Sequence, residues 1–546
     1  MNKSMQIDFR QGAGQDDRHT LTGLLSHAAS VFPERNFLQF GSDIHTYGAF
    51  HRDTNRLARG LASLGVKPGD TVASLLDNNL EAAQLWFAIN KIGAIGVPTN
   101  TAYKMEFLQR PLADAAAKVC VVESHYMDRI AAIEESLTEI NTVIVRDSGA
   151  GNAVKLRSKK VLFLRDLFDA NDSALPDTVK PGDLSVLVYT SGTTGLSKGC
   201  MLSHNYLCNI GKGAGRAVLY TKDDVVATSL PLFHINAMAN LIACLMVGAK
   251  ISIDGKFSVS NYWASIANSG ATVVTLLGSI AVLLAAAEET EDTRRCYGQL
   301  RAAAGAPFDE NLVRRWKERF GVKWVGAPGY GLTEACLVTS IEGMEESPSG
   351  ASGRRNDDFE VRIVDDEDRE LPPNTPGEII CRPRHAHIMF EGYWRKPEAT
   401  LNAVRGLWFH TGDIGKFDEN GFFYFLCRKK EYLRRRGENI SSFELETILQ
   451  THPDLQDVSV HAVPSPLGED DIKVVAVQKR DAKLTEEALC RWAIERFPYF
   501  AVPSYVEFRP DLPRNPMGKV MKYQLEKEGI TPGTWSREAA GLKVSR

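Results

Sequence analysis

The chain has little of what would mark a disulfide framework, a zinc site or a membrane anchor. Its nine cysteines (Cys120, Cys200, Cys208, Cys244, Cys296, Cys336, Cys381, Cys427 and Cys490) form no CxxC pair. That scatter fits reduced thiols of a cytosolic protein. The twelve histidines fail to cluster at metal-ligand spacing, and "HAH" at His385 to His387 reads as surface. With 64 basic and 68 acidic residues the net charge is −4, so there is no general electrostatic reason to bind nucleic acid. The opening "MNKSMQIDFRQGAGQDD" lacks the apolar core of a signal peptide. The most apolar run, "ATVVTLLGSIAVLLAAA" (271–287), is short for a span and broken by Gly278 and Ser279; it predicts a buried strand followed by a buried helix. A cytoplasmic location without a membrane span is expected. Oligomeric state is left open, a homodimer included.

What is present is 546 residues, 44% hydrophobic and 24% charged, too long for one ordinary core. Helical and strand patterns alternate over the first four hundred residues or so. "YGAFHRDTNRLARGLASLG" has apolar residues at helical spacing and stops at Gly65. "TVASLLD" then reads as a strand and "LEAAQLWFAINKIGA" as the next helix. Short, nearly continuous apolar strands such as "AKVCVVES", "SVLVYT" and "ATVVTLL" predict sheets covered on both faces. From about residue 355 the pattern turns strand-rich ("FEVRIVDD", "GEIICRP", "GFFYFLCR"). After the charged "KKEYLRRRGENISS" comes a compact α+β unit, with Thr485 as N-cap of a helix whose Leu489, Trp492, Ala493 and Phe497 share a face. The expected fold class is therefore α/β: a large N-terminal domain of helix-covered β-sheets plus a β-rich subdomain (1–429), and a small α+β C-terminal domain (430–546). No repeat at solenoid spacing is found.

"YTSGTTGLSKG" (189–199) sets small hydroxyl residues and glycines around one lysine, directly behind the apolar "LSVLV". It is neither a Walker A loop, since Gly192 and Gly195 are too close and Gly199 follows Lys198, nor a GxGxxG fingerprint. On composition, a phosphate role and a plain surface loop stand about even.

The longer string "YTSGTTGLSKGCMLSH" resembles the signature loop of the adenylate-forming superfamily, which includes acyl-CoA synthetases, amino-acid adenylation domains and firefly-type luciferases. Backbone N–H groups and hydroxyls can wrap the β/γ-phosphates of ATP without bulky side chains in the way. The resemblance gives that role to Thr190, Ser191, Gly192, Thr193, Thr194, Gly195 and Lys198. "LPLFHINA" puts His234 where acyl-activating members carry an aromatic or histidine beside the substrate carboxylate; amino-acid adenylation domains have an aspartate there. Gly305, Ala306 and Pro307 resemble the turn that packs on adenine. In "GYGLTE", Tyr330 and Gly331 would adjoin the adenine, Thr333 would touch the α-phosphate and Glu334 would hold magnesium. The residue two before the tyrosine, often amide-bearing in relatives, is Pro328 here, so that contact to adenine has no assignment. "WFHTGD" sets Asp413 at the ribose hydroxyls, shared with Arg428 of "LCRKKE". Lys430 falls at the hinge, Gly437 at the pantetheine passage, and the run Arg434 to Arg436, Arg435 and Arg436 above all, at the CoA phosphates. Lys519 in "LPRNPMGKVMK" matches the C-terminal catalytic lysine.

The resemblance implies a two-step reaction with ATP, Mg2+ and coenzyme A. A small-molecule carboxylic acid attacks the α-phosphorus, pyrophosphate leaves, and a thiol then attacks the acyl adenylate, the C-terminal domain turning about Lys430 between steps. Loading of an acyl carrier protein and an inactive acyl- or nucleotide-binding homologue are the alternatives. "GFFYF", "VPSYVEFRPDLPRN" and "GAIGVPTN" resemble the crotonobetaine/carnitine–CoA ligase branch; a fatty or aromatic acid stays open. The acyl pocket is expected between "LFHINAMAN" and "GAPGYGLTEA".

Overall fold

The computed structural model describes residues 19–147, 156–190, 197–306, 308–428, 432–465, 468–514 and 520–544, apart from the side chains of Cys427, Arg428 and Tyr432. Two seven-stranded sheets form the body. The first runs in the order Lys160–Phe163, Thr142–Arg146, Val119–Glu123, Thr71–Leu75, Ile95–Pro98, Leu184–Thr190, Lys198–Ser203. Neighbours are parallel except the last pair. The second runs Trp324–Gly326, Ala302–Ala306, Val273–Leu277, Val225–Thr228, Lys250–Ile253, Asn36–Phe40, Asp43–Thr46, again parallel but for its last pair. Strands such as Val119–Glu123 are buried along their whole length, as burial on both faces requires.

Helix ends follow local chemistry. Thr46 caps Tyr47–Ser63 by accepting from the Ala49 N–H, and the chain leaves that helix through Gly65 at φ +85°. Ser203 caps His204–Val218 in the same way, and Ile235–Val247, apolar nearly all round, ends at the left-handed Gly248. The largest core lies between the two sheets, joining Val186 and Leu202 of the first to Val226 and Ile251 of the second through Phe37, Tyr47, Phe50 and Phe87. The run from 271 divides into the strand Val273–Leu277 and the helix Gly278–Ala286, as expected. Among the described residues no helix is long and apolar enough to cross a membrane.

An antiparallel sheet (Phe359–Val364, Gly377–Pro383, Trp408–Phe417, Val404–Arg405, with Phe423–Arg428 paired to the long strand) closes the body. A hairpin, Tyr432–Arg435 with Glu438–Ser441, then leads into a four-stranded sheet built on Leu455–Pro464 and Asp470–Gln478, flanked by Ser442–Leu449 and Glu486–Arg496. This is the α/β fold class with its large and small parts. The small part has its own core (Leu445, Val460, Val474, Leu489, Phe497), which also takes in Phe107 from the body. The Phe107 and Phe497 rings meet edge to face at 5.9 Å, and Arg110 Nη1 pairs with Glu444 Oε1 at 3.2 Å. Burying a phenylalanine contributes about 2–3 kcal/mol to such a seam. The boundary placed between 429 and 430 falls on residues outside those described.

Candidate active site

Both parallel sheets point the C-terminal ends of their strands at one cleft of about 3530 Å³. In open α/β sheets, that edge is where ligands bind. The first sheet contributes Asp77, Asn100 and Thr190. The second contributes Ser229, Leu277 and the stretch 304–306, with Gly326 to Glu334 following.

Thr190 and Lys198 stand opposite each other in register at the base of the loop that joins their strands. Ser191, Gly192, Thr193, Thr194 and Gly195 lie outside the described residues, as do Pro307, Lys430 and Lys519. Lys198 is buried, its Nζ 4.8 Å from the centre of the Tyr393 ring. Burial holds its ammonium below the usual lysine value, although Glu334 pulls the other way. Glu334, also buried, accepts from the Tyr393 hydroxyl at 2.8 Å. The preceding carbonyl, that of Thr333, accepts from Tyr206 at 2.7 Å. Two tyrosines from different elements therefore fix the acidic corner of the cleft.

Tyr330 and Asp413, 83 residues apart, meet through a 2.6 Å hydrogen bond from the Tyr330 hydroxyl to Asp413 Oδ2. Asp413 sits in the middle of Trp408–Phe417, where alternate residues are buried, and Arg428 is its register partner on the next strand. Two glycines lining the cleft are required by close approach. A Cβ on Gly305 would lie 2.3 Å from the Leu276 carbonyl oxygen, and one on Gly331 2.3 Å from the Leu337 nitrogen. Gly305 and Ala306 end the strand Ala302–Ala306 at the cleft.

His234 is the N-cap residue of Ile235–Val247 but makes no side-chain cap bond. Its Nε2 lies 2.9 Å from Oε1 of Glu438, which also accepts from Asn100 Nδ2 at 3.0 Å. Burial lowers the imidazole pKa, yet the Glu438 carboxylate outweighs it and the net shift is upward. The tip of the C-terminal hairpin therefore reaches into the cleft. Gly437, at φ +80°, passes so close to Leu277 that a Cβ would sit 2.2 Å from Leu277 Cδ1.

The arginine run divides. Arg434 and Arg436 line the cleft, Arg436 lying over the Tyr499 ring at 5.3 Å. Arg435 does not. Its guanidinium is buried inside the C-terminal domain, donating to the carbonyls of Phe500 and Val502 and to Ser504 Oγ, and paired with Asp471 at 3.0 Å. The expectation that Arg435 meets CoA phosphates is corrected on that ground: a guanidinium with its donors spent inside a core cannot reach a ligand in the cleft. The buried Leu433, two residues earlier on the same strand face, was the signal for it. Glu438, Tyr393 and Asn100 were not singled out from the sequence. Glu438 lies within the quoted "GENISS", but nothing local says which residue it will meet.

Comparison with known proteins gives the family. Residues 25–394 match the AMP-binding enzyme family, and 444–519 match the AMP-binding enzyme C-terminal domain. The chain is 30% identical over 514 residues to a crotonobetaine/carnitine–CoA ligase of Salmonella arizonae, covering 91% of this chain and 97% of that one. It is 30% identical over 493 residues to a long-chain-fatty-acid–CoA ligase of Escherichia coli O6:H1, covering 85% and 86%. Among solved structures, ATP-bound MatB from Rhodopseudomonas palustris superposes with a TM-score of 0.66 at 27% identity, over 93% of this chain and 98% of that one. The chain belongs to the AMP-binding enzyme family, as an acyl-CoA synthetase of the adenylate-forming superfamily.

Proposed function

We infer that the chain is an ATP-dependent carboxylic acid–CoA ligase. It converts an acid to its acyl adenylate with release of pyrophosphate, then to the acyl-CoA thioester with release of AMP. The observation that carries this reading is the seating of Gly437 and Glu438 against Leu277 and His234, in the same cleft that holds Lys198, Glu334, Tyr330 and Asp413.

A carboxylate is a poor acyl donor because oxide is a hopeless leaving group; AMP replaces it with a good one. No enzyme nucleophile is needed, so the residues position groups and neutralise charge. Lys198 and Thr190 would meet the outer phosphates, and Tyr330, Asp413 and Arg428 the nucleoside. Glu334 would hold Mg2+. Among the described residues no group of three or more His, Cys, Asp or Glu could hold a metal, so Glu334 belongs to no such cluster. One carboxylate with substrate phosphates and water is the usual magnesium environment, so the residues fit, and the ion would neutralise phosphate charge. Lys519 would act on the α-phosphate in the first step, and rotation about Lys430 would then bring Gly437 in for the thiol.

The test is AMP release from ATP and magnesium across short, betaine-type, medium, long-chain and aromatic acids, with and without CoA. AMP formation that requires both acid and CoA supports the reading. Acid-dependent pyrophosphate exchange without CoA turnover points instead to a carrier protein as acceptor. Silence with every acid, while ATP still binds, leaves a nucleotide-binding homologue.

A further inference from the structure

We propose that the acyl end of the cleft selects an acid carrying a neutral oxygen on its chain, and that Asn236 is the residue that reads it. The inference rests on the ligase reading above and concerns the acid that reading leaves open.

Three side chains fix the geometry. The Tyr220 hydroxyl donates to Asn240 Oδ1 at 2.6 Å. Asn240 Nδ2 donates to the backbone carbonyl of Asn236 at 2.8 Å and to Asn236 Oδ1 at 3.0 Å. A carbonyl oxygen only accepts, so the Asn240 atom facing it is the nitrogen, and the Asn236 atom facing that nitrogen is the oxygen. Asn236 must then turn its NH2 group away from Asn240, and that group has no partner among the described residues. Tyr220 and Asn240 are 3% and 4% exposed, so the relay is locked from behind, whereas Asn236 is exposed in the cleft two residues after His234.

The sheet side of the cleft also carries polar side chains. Among the described residues the buried Thr275 Oγ1 and Ser229 Oγ have no hydrogen-bond partner, and both residues line the cleft. Thr275 lies in register with Thr228 on one side and Ala304 on the other. The lining of the cleft also includes the apolar Ile210, Ala239 and Trp324. A saturated chain laid against Asn236 would take its N–H donors out of water and leave them unmatched. A hydroxyl, keto or amide oxygen accepts from Asn236, and neither a second charge nor a counter-ion is called for.

The test uses the full-length protein and matched six-carbon acids: hexanoate and its 3-, 4- and 5-hydroxy forms. Both kcat/KM for AMP formation and the Kd of the corresponding acyl-sulfamoyl adenosines are read. At least one hydroxy acid is expected to exceed hexanoate tenfold or more in both measures. Asn236→Leu should bring that ratio towards one, and Tyr220→Phe, which unhooks Asn240 from behind, should lower it partway. A wild-type ratio near one at every position overturns the proposal. So does a ratio that survives Asn236→Leu, or an equal loss of both ligands in that variant. If no acid yields AMP but the binding ratio holds, the ligase reading falls and the pocket assignment stands.

Discussion

His234 and Glu438, 204 residues apart, share a 2.9 Å contact that joins the N-terminal body to the tip of the C-terminal hairpin. Asn100 holds the same carboxylate oxygen from the other side. A titratable latch of this kind has a defined pH sense. The imidazole pKa is raised in the docked state above its ordinary value near 6.5, so the pair's contribution is fully present below that value and is lost as pH rises through the raised one. The thioester-forming step of the wild type should therefore outpace that of Glu438→Gln at pH 6, and the advantage should shrink as pH rises through the raised imidazole value. Single-turnover thioester formation from pre-made acyl adenylate measures it. A wild-type-to-variant ratio constant over that range removes the latch.

Gly437 is held by space as well as by conformation. Gly437→Ala would put a methyl 2.2 Å from Leu277 Cδ1 on a backbone at φ +80°. Thioester formation should drop by about tenfold or more, which corresponds to a barrier change of roughly 1.4 kcal/mol. The adenylation half-reaction, followed by pyrophosphate exchange, should drop less. Adding Leu277→Ala should recover part of the loss, because it relieves the contact but leaves the backbone strain. No recovery would mean that crowding is not the cause.

Asp413 tests the nucleotide end. It accepts from Tyr330 at 2.6 Å and is 2% exposed, so Asp413→Ala removes a charge-assisted partner worth about 1.5–3 kcal/mol. The KM for ATP should rise roughly ten- to a hundredfold. Tyr330→Phe keeps the ring and should raise it less than tenfold. Unchanged ATP saturation in Asp413→Ala takes that residue out of the site.

Arg435 should behave as a structural residue. Arg435→Ala leaves two buried carbonyls without their donor and strips Asp471 of its cation, leaving it only the Ser504 hydroxyl, a loss of about 3 kcal/mol or more. The C-terminal domain should become cleavable by protease at a lower urea concentration than in wild type. Arg436→Ala should not have that effect. If CoA KM rises in Arg435→Ala with domain stability intact, the buried assignment is wrong.

Much of this protein is legible along the chain because the cause is local. Burial on both faces makes strands such as Val119–Glu123 apolar from Val119 to Val122, a cap such as Thr46 or Thr485 starts a helix within three residues, and Gly65 ends one. The cleft motifs are legible for the same reason: they sit at the end of one strand, as Thr190, Gly305 and Ala306 do, within one, as Asp413 does, in the turn after one, as Glu334 does, or at a helix start, as His234 does. What the sequence could not decide is which of these ends meet. Tyr330 on Asp413, Phe107 in the C-terminal core and Glu438 on His234 depend on the packing of whole sheets and on the seating of one domain on another. The three consecutive arginines make the distinction plain. Strand alternation separates Arg435 from Arg434, and Arg436 leaves the strand in the hairpin turn at φ +54°, but only the position of Phe500, Val502 and Asp471 in space decides that Arg435 turns inward. Local pattern determines the face a residue takes within its element; the tertiary structure determines what that face touches.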